Sequence, residues 1–346
     1  MGVQDRSQHK AAKAVAFAAA LASDHDAFQQ LTIPYIRELH LHCYRLLGSF
    51  EDAEDGLQET LLRAWRHLAS FEGRSSFRAW LYRIATNVCL LQRARRPVDR
   101  SIVSQSVEAL APPMTHSFNL SPYPDALLDE IETPFGNPGA EYDQYESVQL
   151  AFLAVVQLLP PRQRAVLILH DVVGFSAAEV ADLLDSTVAS VNSALNRARA
   201  TLQQHRTAGR LPAVRSPAPD QVAQAFVERC VEAWQAADVA QLSDLLKADV
   251  VMGAPALGLH LNGRLAVCEF LANVPPREHR DRFRFIASRA NRQPALAVYR
   301  LDAHGQTTAY RGWGIVVLRT DGGVVAGIAV FPDPSLMRVF GLPTQM

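Results

Sequence analysis

Cysteine is scarce in this sequence. Cys43, Cys89, Cys230 and Cys268 are the four in 346 residues, far apart and with no Cys-x-x-Cys pair. That excludes a disulfide framework and fits buried free thiols in a reducing compartment. Long apolar runs are missing too. Nothing approaches the roughly 20 apolar residues of a membrane-spanning helix, so the sequence implies a soluble, cytoplasmic protein with no membrane partner. Net charge is nearly absent, at −1 from 34 Lys+Arg and 35 Asp+Glu. With 49% hydrophobic residues, that balance excludes a chain disordered throughout. Ala14 to Ala22, preceded by Lys10 and Lys13, imitates a secretory leader only faintly and reads better as an alanine-rich helix. His40, His42 and Cys43 cluster, but residues two apart do not share a helix face and no second ligand pair follows. No metal and no cofactor are expected.

The near-zero total hides strong local asymmetry. Glu51, Asp52, Glu54, Asp55 and Glu59 form an acidic cluster, and from Arg74 to Arg100 seven arginines face one acid, Asp99. From Pro97 to Ser147 the balance reverses, with nine acids, one arginine and seven prolines and no sustained period, which reads as a linker. Such a stretch could shield the neighbouring arginines until a partner arrives. A second break, Thr207 to Pro219, carries Gly209, Pro212, Pro217 and Pro219. The organisation expected is an N-terminal extension (1–24), a helical block (25–96), an acidic Pro-rich linker (97–147), a second helical block (148–206), a short linker (207–219) and a third block (220–346).

In the first block Leu57, Leu61, Leu62, Trp65 and Leu68 recur at three-to-four spacing, an apolar stripe on a helix whose start is acidic. Gly73 breaks it, and Ser75 or Ser76 can cap the next helix, with Phe77, Trp80, Leu81, Ile84, Val88 and Leu91 inward and the arginines outward. A basic face with neighbouring aromatics is how proteins track a phosphate backbone and stack unpaired bases. A merely solvated face has the same pattern, and core packing explains the aromatics equally well. In the second block Pro160 and Pro161 open a helix that Gly174 ends, Ser176 and Glu179 make a capping box, and Val188 to about Gln204 forms a third helix. Val191, Leu195, Ala198 and Leu202 face inward there. This describes a helix-turn-helix, or any three-helix bundle.

The segment FEDAEDGLQETLLRAWRHLASFEGRSSFRAWLYRIATNVCLLQRARR resembles region 2 of extracytoplasmic-function (ECF) sigma factors of the sigma-70 family, and LPPRQRAVLILHDVVGFSAAEVADLLDSTVASVNSALNRARATL resembles their region 4. The resemblance covers about residues 25 to 206. It implies an alternative sigma factor that directs core RNA polymerase to promoters, with the polymerase beta-prime and beta subunits and promoter DNA as partners. It implies core binding by Asp52, Glu54, Asp55, Gln58, Glu59 and Arg63. Melting of the minus-ten element would fall to Arg74, Ser75, Ser76, Phe77, Trp80, Arg83, Asn87, Arg93, Arg95 and Arg96. Reading of the minus-thirty-five element would fall to Ser186, Thr187, Ser190, Asn192, Ser193, Asn196, Arg197 and Arg199. Many relatives carry Lys and Arg where Asn192 and Ala194 stand, so this recognition helix is less basic than usual.

The third block starts with a helix, Gln221 to Ala236, on which Val222, Phe226, Cys230 and Trp234 recur every four residues. A further short helix, a strand at Val250 to Ala254, a helix at Leu265 to Ala272 and four strand-like runs follow, with turn signals at Asp302 to Gly305 and Asp321-Gly322. It resembles the SnoaL-like domain fused to some ECF sigma factors. The fold class expected is multidomain: two all-α sigma domains, a region 2 bundle and a region 4 helix-turn-helix, plus an α+β SnoaL-like cone-shaped barrel that regulates activity in cis. A pocket in the cone would be lined by Trp234, Tyr299, Trp313 and Phe331 and leaves room for a small ligand. Asp238, Asp249 and His260 are candidate occupants, but no spacing ties them into an acid–base pair, so no catalytic residue and no enzyme are expected. The alternative is an active SnoaL-like isomerase or hydrolase fused to a DNA-targeting helical module. The tail Phe331 to Met337 reads either as an arm docking on the sigma domains or as a strand end packed on its own sheet.

Overall fold

The computed structural model describes residues 24–95, 120–131, 146–209, 211, 220–236, 238–254, 257–273, 282–302 and 309–346. The alanine-rich N-terminal stretch, most of the proposed shielding linker and most of 207–219 lie outside them. The chain forms two compact units. The first comprises Met1–Pro97, Glu130–Glu141 and Leu159–Arg199; the second comprises Val98–Asp129, Tyr142–Leu158 and Ala200–Met346.

In the first unit α1 (His25–Leu47), α2 (Phe50–His67) and α3 (Phe77–Arg95) pack together. Each start is capped. Asp24 accepts from the N–H groups of Asp26 and Ala27, Ser49 from that of Asp52, and Ser76 from that of Ala79. Gly48, at φ 84°, turns the chain out of α1, and its N–H bonds the Tyr44 carbonyl at 2.7 Å. The core holds Leu39, Cys43, Tyr44, Ala53, Leu57, Leu81, Ala85 and Val88. At Gly56 an added Cβ would sit 3.4 to 3.6 Å from Gln92, Leu47 and Cys43, ordinary contact distances that show how closely α2 lies against both neighbours.

Two of the expected helix faces come out differently. Leu62 is 51% exposed and lies outside the buried stripe of α2. On α3 the buried side is Ala79, Leu81, Tyr82, Ala85, Val88 and Cys89, whereas Phe77, Trp80 and Ile84 are half-buried and Leu91 is exposed. Both faces of α3 carry apolar residues at helical spacing, so periodicity alone could not choose between them.

The region 4 part of the first unit contains α6 (Pro161–Leu167), a π-turn (Ile168–Val172), α7 (Ala177–Leu183) and the start of α8 (Val188–Thr207). Proline occupies the first turn of α6, Gly174 has φ 87°, and the Ser176–Glu179 capping box is formed. Arg164 is buried and donates to the carbonyls of Leu46 (2.7 Å) and Leu159 (3.1 Å). Its guanidinium thereby satisfies the C-terminal end of α1 from α6. Tyr82 and Phe175 meet edge to face, 5.4 Å between centroids.

The second unit is built on a sheet of order β2-β1-β6-β5-β4-β3. The strands are β1 (Leu246–Ala254), β2 (Leu259–Asn262), β3 (Phe283–Ala290), β4 (Gln293–Asp302), β5 (Ala309–Asp321) and β6 (Val324–Phe331). Only the β1–β6 pairing is parallel. β2 and β3 are the two edges and do not pair, so the sheet is open and the expected barrel is corrected to a half-wrapped sheet. α9 (Asp220–Ala236), α10 (Val239–Leu245) and α11 (Arg264–Asn273) close one face over Phe226, Val227, Leu242, Leu245, Met252, Val267 and Leu296.

The other face receives chain that the sequence reading assigned partly to the linker (97–147) and partly to the second helical block (148–206). Leu120 and, from α5 (Leu150–Leu158), Leu150 and Ala151 lie over Val251, Gly253, Val317 and Gly327, around a cavity of about 60 Å³. The β3–β4 turn holds this chain. Asn291 and Arg292 have φ 55° and 59°, the left-handed pair of a type I′ turn. Asn291 accepts from Tyr123 N–H at 2.9 Å and donates through Nδ2 to the Val148 carbonyl at 2.7 Å. In α4 (Asp125–Asp129), Asp125 accepts from Arg292 N–H at 2.7 Å and pairs with Arg289 at 3.2 Å. Asp129 pairs with Arg292.

The C-terminal tail lies on its own sheet. Tyr310 and Met346 exchange backbone hydrogen bonds, Gly312 N–H bonds the Thr344 carbonyl, and the Met337 side chain covers Gly312, where an added Cβ would meet it. These contacts fit the strand-end reading of the tail.

His40 and His42 are buried parts of α1: the His42 ring bonds Thr86 Oγ1 at 2.9 Å and His40 packs on Phe50. Burial, with Arg37 near His40 and with Arg45 and Arg78 near His42, lowers their pKa values to about 4 and about 3. Both are neutral when folded. Below pH 6.5 the unfolded chain takes up protons that the fold refuses, so stability falls with pH between 6.5 and about 4. Each histidine adds up to ~1.4 kcal/mol per pH unit to that slope. Replacing His42 by Gln, which can keep the bond to Thr86, should cut the slope of the first unit's unfolding free energy over this window by about one such increment. Denaturant titrations at a series of pH values measure it, and an unchanged slope would remove His42 from the account.

Candidate nucleic-acid and polymerase interface

Three exposed features of the first unit bring the sequence-predicted residues together. The first is the outer side of α2. Its early acids lie in the first turn, where the helix dipole favours negative charge. Glu54, Asp55 and Gln58 are exposed, Asp52, Glu59 and Arg63 are half-buried, and Arg63 Nε bonds Glu59 Oε1 at 2.6 Å. Leu62 stands on the same helix, an exposed apolar residue one turn from Gln58 and Glu59. That composition fits a basic protein partner.

The second is a groove of about 530 Å³ between the end of α2, the loop that follows it and α3. Arg63, Arg74, Trp80, Arg83, Ile84 and Asn87 line it together with Phe71 and Ser75. Phe71, Phe77 and Trp80 pack mutually at 5.4 to 5.6 Å between centroids, which fixes the Trp80 ring as a wall. Gly73, at φ 70° with nothing near its Cβ position, turns the loop, Arg74 pairs with Glu72, and Ser76 serves as the α3 cap. Phe71 was not among the sequence-predicted residues, since it precedes the helix and has no periodic signal. Arg78, which does lie on the arginine-rich stretch, is consumed elsewhere. It forms a bidentate pair with Glu38 at 2.8 to 3.0 Å and covers the rings of Tyr82 and Phe175. Arg93 lies near the end of α3, which closes at Arg95, and Arg96 lies outside the described residues.

The third is the outer face of α8. Ser190, Asn192, Ser193, Asn196 and Arg197 are exposed on one side, while Val191, Leu195, Ala198 and Leu202 are buried on the other. Ala194 is buried as well, so only Asn192 of the two unusual positions faces outward. Asp185, at φ 45°, makes the turn before Ser186 and Thr187, and Thr187 Oγ1 accepts from Ser190 N–H. Arg199 departs from its expected role. It donates to both oxygens of fully buried Asp171 at 2.7 and 2.9 Å, and His170 Nδ1 lies 2.7 Å from the same carboxylate. Its work is to hold α8 on the π-turn. The groove and the turn before α8 are also linked within this unit: Arg83 reaches both oxygens of Asp185 at 2.8 Å.

In the second unit Trp234 and Trp313 line a cavity between the helices and the sheet, whereas Tyr299 and Phe331 are not in its lining. Tyr299 donates its hydroxyl to the Pro343 carbonyl at 2.9 Å. The three candidate acid–base residues are elsewhere. Asp238 caps α10 through Gln241 N–H, Asp249 is exposed beside Lys247, and His260 pairs in register with Gly253, which faces the 60 Å³ cavity on the opposite side of the sheet. They form no constellation in the cavity.

Residues 33–96 match the Sigma-70 region 2 family, residues 149–202 the Sigma-70 region 4 family, and residues 227–328 a SnoaL-like domain. The chain is 38% identical over 329 residues to the ECF RNA polymerase sigma factor SigG of Mycobacterium tuberculosis, covering 92% of this chain and 85% of that one. It is 29% identical over 184 residues to the RNA polymerase sigma-H factor of Pseudomonas aeruginosa, 52% of this chain and 86% of the other. The crystal structure of the Mycobacterium tuberculosis extracytoplasmic function sigma factor SigJ shares the fold, with a TM-score of 0.56 at 21% identity over 90% of this chain and 98% of that one. With region 2, region 4 and the SnoaL-like domain in one chain, and likeness to SigG along nearly all of it, the protein belongs to the ECF sigma factors of the sigma-70 family.

Proposed function

We propose that the outer side of α2 binds core RNA polymerase, that the groove beside α3 holds unpaired bases of the opened minus-ten element, and that α8 reads the minus-thirty-five element. In this reading Asp52, Glu54, Asp55, Gln58, Glu59 and Arg63 meet the polymerase, with Leu62 as their apolar centre. Trp80 and Phe71, backed by Phe77, receive the base, and Arg74, Ser75, Arg83 and Asn87 surround it. Arg93, Arg95 and Arg96 supply charge for the phosphate backbone. Ser186, Thr187, Ser190, Asn192, Ser193, Asn196 and Arg197 face the duplex, with Arg199 in a supporting position behind them. Activity of this kind is binding rather than turnover, and it belongs beside the polymerase in the cytoplasm.

The observation that carries the reading is the groove, whose volume of about 530 Å³ has an aromatic wall and arginines at its rim. Taking a base out of the stack costs a few kcal/mol, and stacking on an aromatic ring returns ~1–3 kcal/mol per base. Trp80→Ala should therefore slow transcription from duplex promoters roughly tenfold or more while sparing templates that carry a pre-melted bubble. Run-off transcription with core polymerase on the two templates tests this, and equal losses on both would refute a role in melting.

The Arg83–Asp185 pair ties a groove arginine to the turn before the recognition helix, and we read the first unit as a closed form. Exposed pairs are worth ~0–1 kcal/mol. Asp185→Asn should accordingly raise promoter binding by the free protein up to about fivefold at low salt, with the gain fading as screening grows. Fluorescence-anisotropy titrations across salt concentrations read this out; no gain at low salt would disprove the latch.

The β3–β4 turn provides the route by which the SnoaL-like domain acts in cis, because it grips the chain at Tyr123 and again at Val148. Asn291→Gly keeps the left-handed turn without strain and removes both side-chain hydrogen bonds. Each bond is worth ~1 kcal/mol net, so the ratio of docked to released chain should fall roughly tenfold or more. Faster proteolysis near Tyr123 would report release, and promoter-directed transcription should change with it. Release without any change in transcription would eliminate regulation through this contact.

A further inference from the structure

The sheet face that receives Leu120 and α5 encloses the small cavity of about 60 Å³. Most of its wall is apolar, with Leu120, Leu150, Val251, Val317 and Ile328 among the lining residues. Two lining residues are strongly polar. Arg319 lies on β5, and Gln293 begins β4. Ala295 and Val317 are partners in the antiparallel β4–β5 pair, so two residues further on Gln293 and Arg319 stand opposite each other on one face. Gly327 is the β6 partner of Arg319 and leaves the guanidinium room to lie over that strand. An added Cβ there would come within 3.0 Å of Nε and 3.2 Å of Nη2. At Gly253, on β1, an added Cβ would meet no atom within 4 Å.

Both polar groups have hydrogen-bonding capacity left over. Of the five N–H donors of Arg319, one is used among the described residues, from Nη2 to the Ala326 carbonyl at 2.7 Å. Burial lowers the pKa of this guanidinium although Asp321 and Asp249 act to raise it, so its charge is only partly balanced. Gln293 is 6% exposed, and its carboxamide has no hydrogen-bond partner among the described residues. Buried amides left in that state are rare in folded proteins. A water needs ~10–15 Å³ of such space, so the cavity holds roughly four waters or one ligand of about four non-hydrogen atoms. A guanidinium holds a planar, two-oxygen anion in a bidentate grip, and the carboxamide N–H groups can donate to the same oxygens. The apolar walls reward a methyl group on the other end. A cation would meet Arg319, and a dianion would bury more charge than one arginine balances.

We propose that this cavity binds a short-chain monocarboxylate of the size of acetate, held by Arg319 and Gln293 with its methyl group on the apolar wall. Part of that wall is Leu120 and α5, so the anion binds the docked form of the chain and stabilises it. The inference rests on the docking contacts of the second unit and not on the promoter reading, and the free full-length protein tests it without polymerase or DNA. Four non-hydrogen atoms limit the dissociation constant to roughly tens of micromolar at best, so the titration must reach millimolar acetate. Saturation-transfer NMR on the acetate methyl group, at constant ionic strength with sodium chloride, should show one saturable site. Sulfate and hexanoate should displace acetate at least about tenfold more weakly than formate does. Gly253→Ala, which puts a methyl group into the cavity, should weaken acetate at least about fivefold while the thermal midpoint without acetate holds or rises, a combination that a misfolded variant cannot produce. Should Gly253→Ala fail to fold, Gln293→Leu, close in shape and without the amide, should give the same weakening. Acetate should also slow proteolysis near Tyr123 in the wild type and not in the weakened variant. The proposal is overturned if the wild type shows no saturable signal, if sulfate or hexanoate competes as well as formate, or if the folded variant binds as tightly as the wild type. Saturable binding that leaves proteolysis unchanged would overturn the coupling to the docked chain.

Discussion

The second unit depends on one side chain that closes bonds to two distant stretches of chain. Asn291 occupies a left-handed position at a hairpin tip, where asparagine is among the few non-glycine residues at ease. Its carboxamide uses both ends, the oxygen on Tyr123 and the nitrogen on Val148. Those partners are 168 and 143 residues away in sequence, so ordering them carries a large loop-closure cost that local propensity cannot offset. The bonds are buried, and Asp125, Arg289 and Arg292 surround them with charge. Burial raises the pKa of Asp125, and the Arg292 N–H followed by the charges of Arg289 and Arg292 offset that rise only in part.

A sigma factor must divide its arginines between holding its own shape and holding DNA. Here some arginines are spent on the protein's own fold and others stand at the surface. Arg78, Arg164 and Arg199 are turned inward onto Glu38, the Leu46 carbonyl and Asp171. Arg74 and Arg83 stand at the groove, each already facing a carboxylate that a phosphate could replace. The inward arginines are bidentate or serve backbone carbonyls, geometry that lysine could not reproduce. The outward ones make exposed pairs, cheap to exchange. Such a surface can change partners without changing its fold.

Much of this was legible in the sequence, because local rules wrote it. The Ser176–Glu179 box, the glycine stops, the helix-turn-helix spacing and the Asp321-Gly322 turn all rest on neighbours within a few residues, and each formed as expected. The faces of α3 were not legible, since apolar residues occupy both sides at helical spacing. Arg199 was read as outward because the partner that turns it, Asp171, lies in a π-turn no periodicity announces. The open sheet, the short strand β2 and the docking of Leu120 to Asp129 depend on long-range pairing, to which a proline-rich, aperiodic stretch gives no local clue. Of the four residues assigned to the pocket, two line it; alternation along β4 and β6 sends Tyr299 and Phe331 to other surroundings.

Region 4 as a sequence family begins at residue 149, yet α5 belongs to the second unit and α6 to the first. The helix α5 reads LAFLAVVQL and is buried along almost its whole length. It has no polar face with which to meet water. Its first residues, Leu150 and Ala151, lie over the sheet, so a chain cut after region 4 would uncover that end of an oily nine-residue helix. Uncovered apolar surface of that kind lowers solubility, so the SnoaL-like domain shelters the start of the helix that leads into region 4.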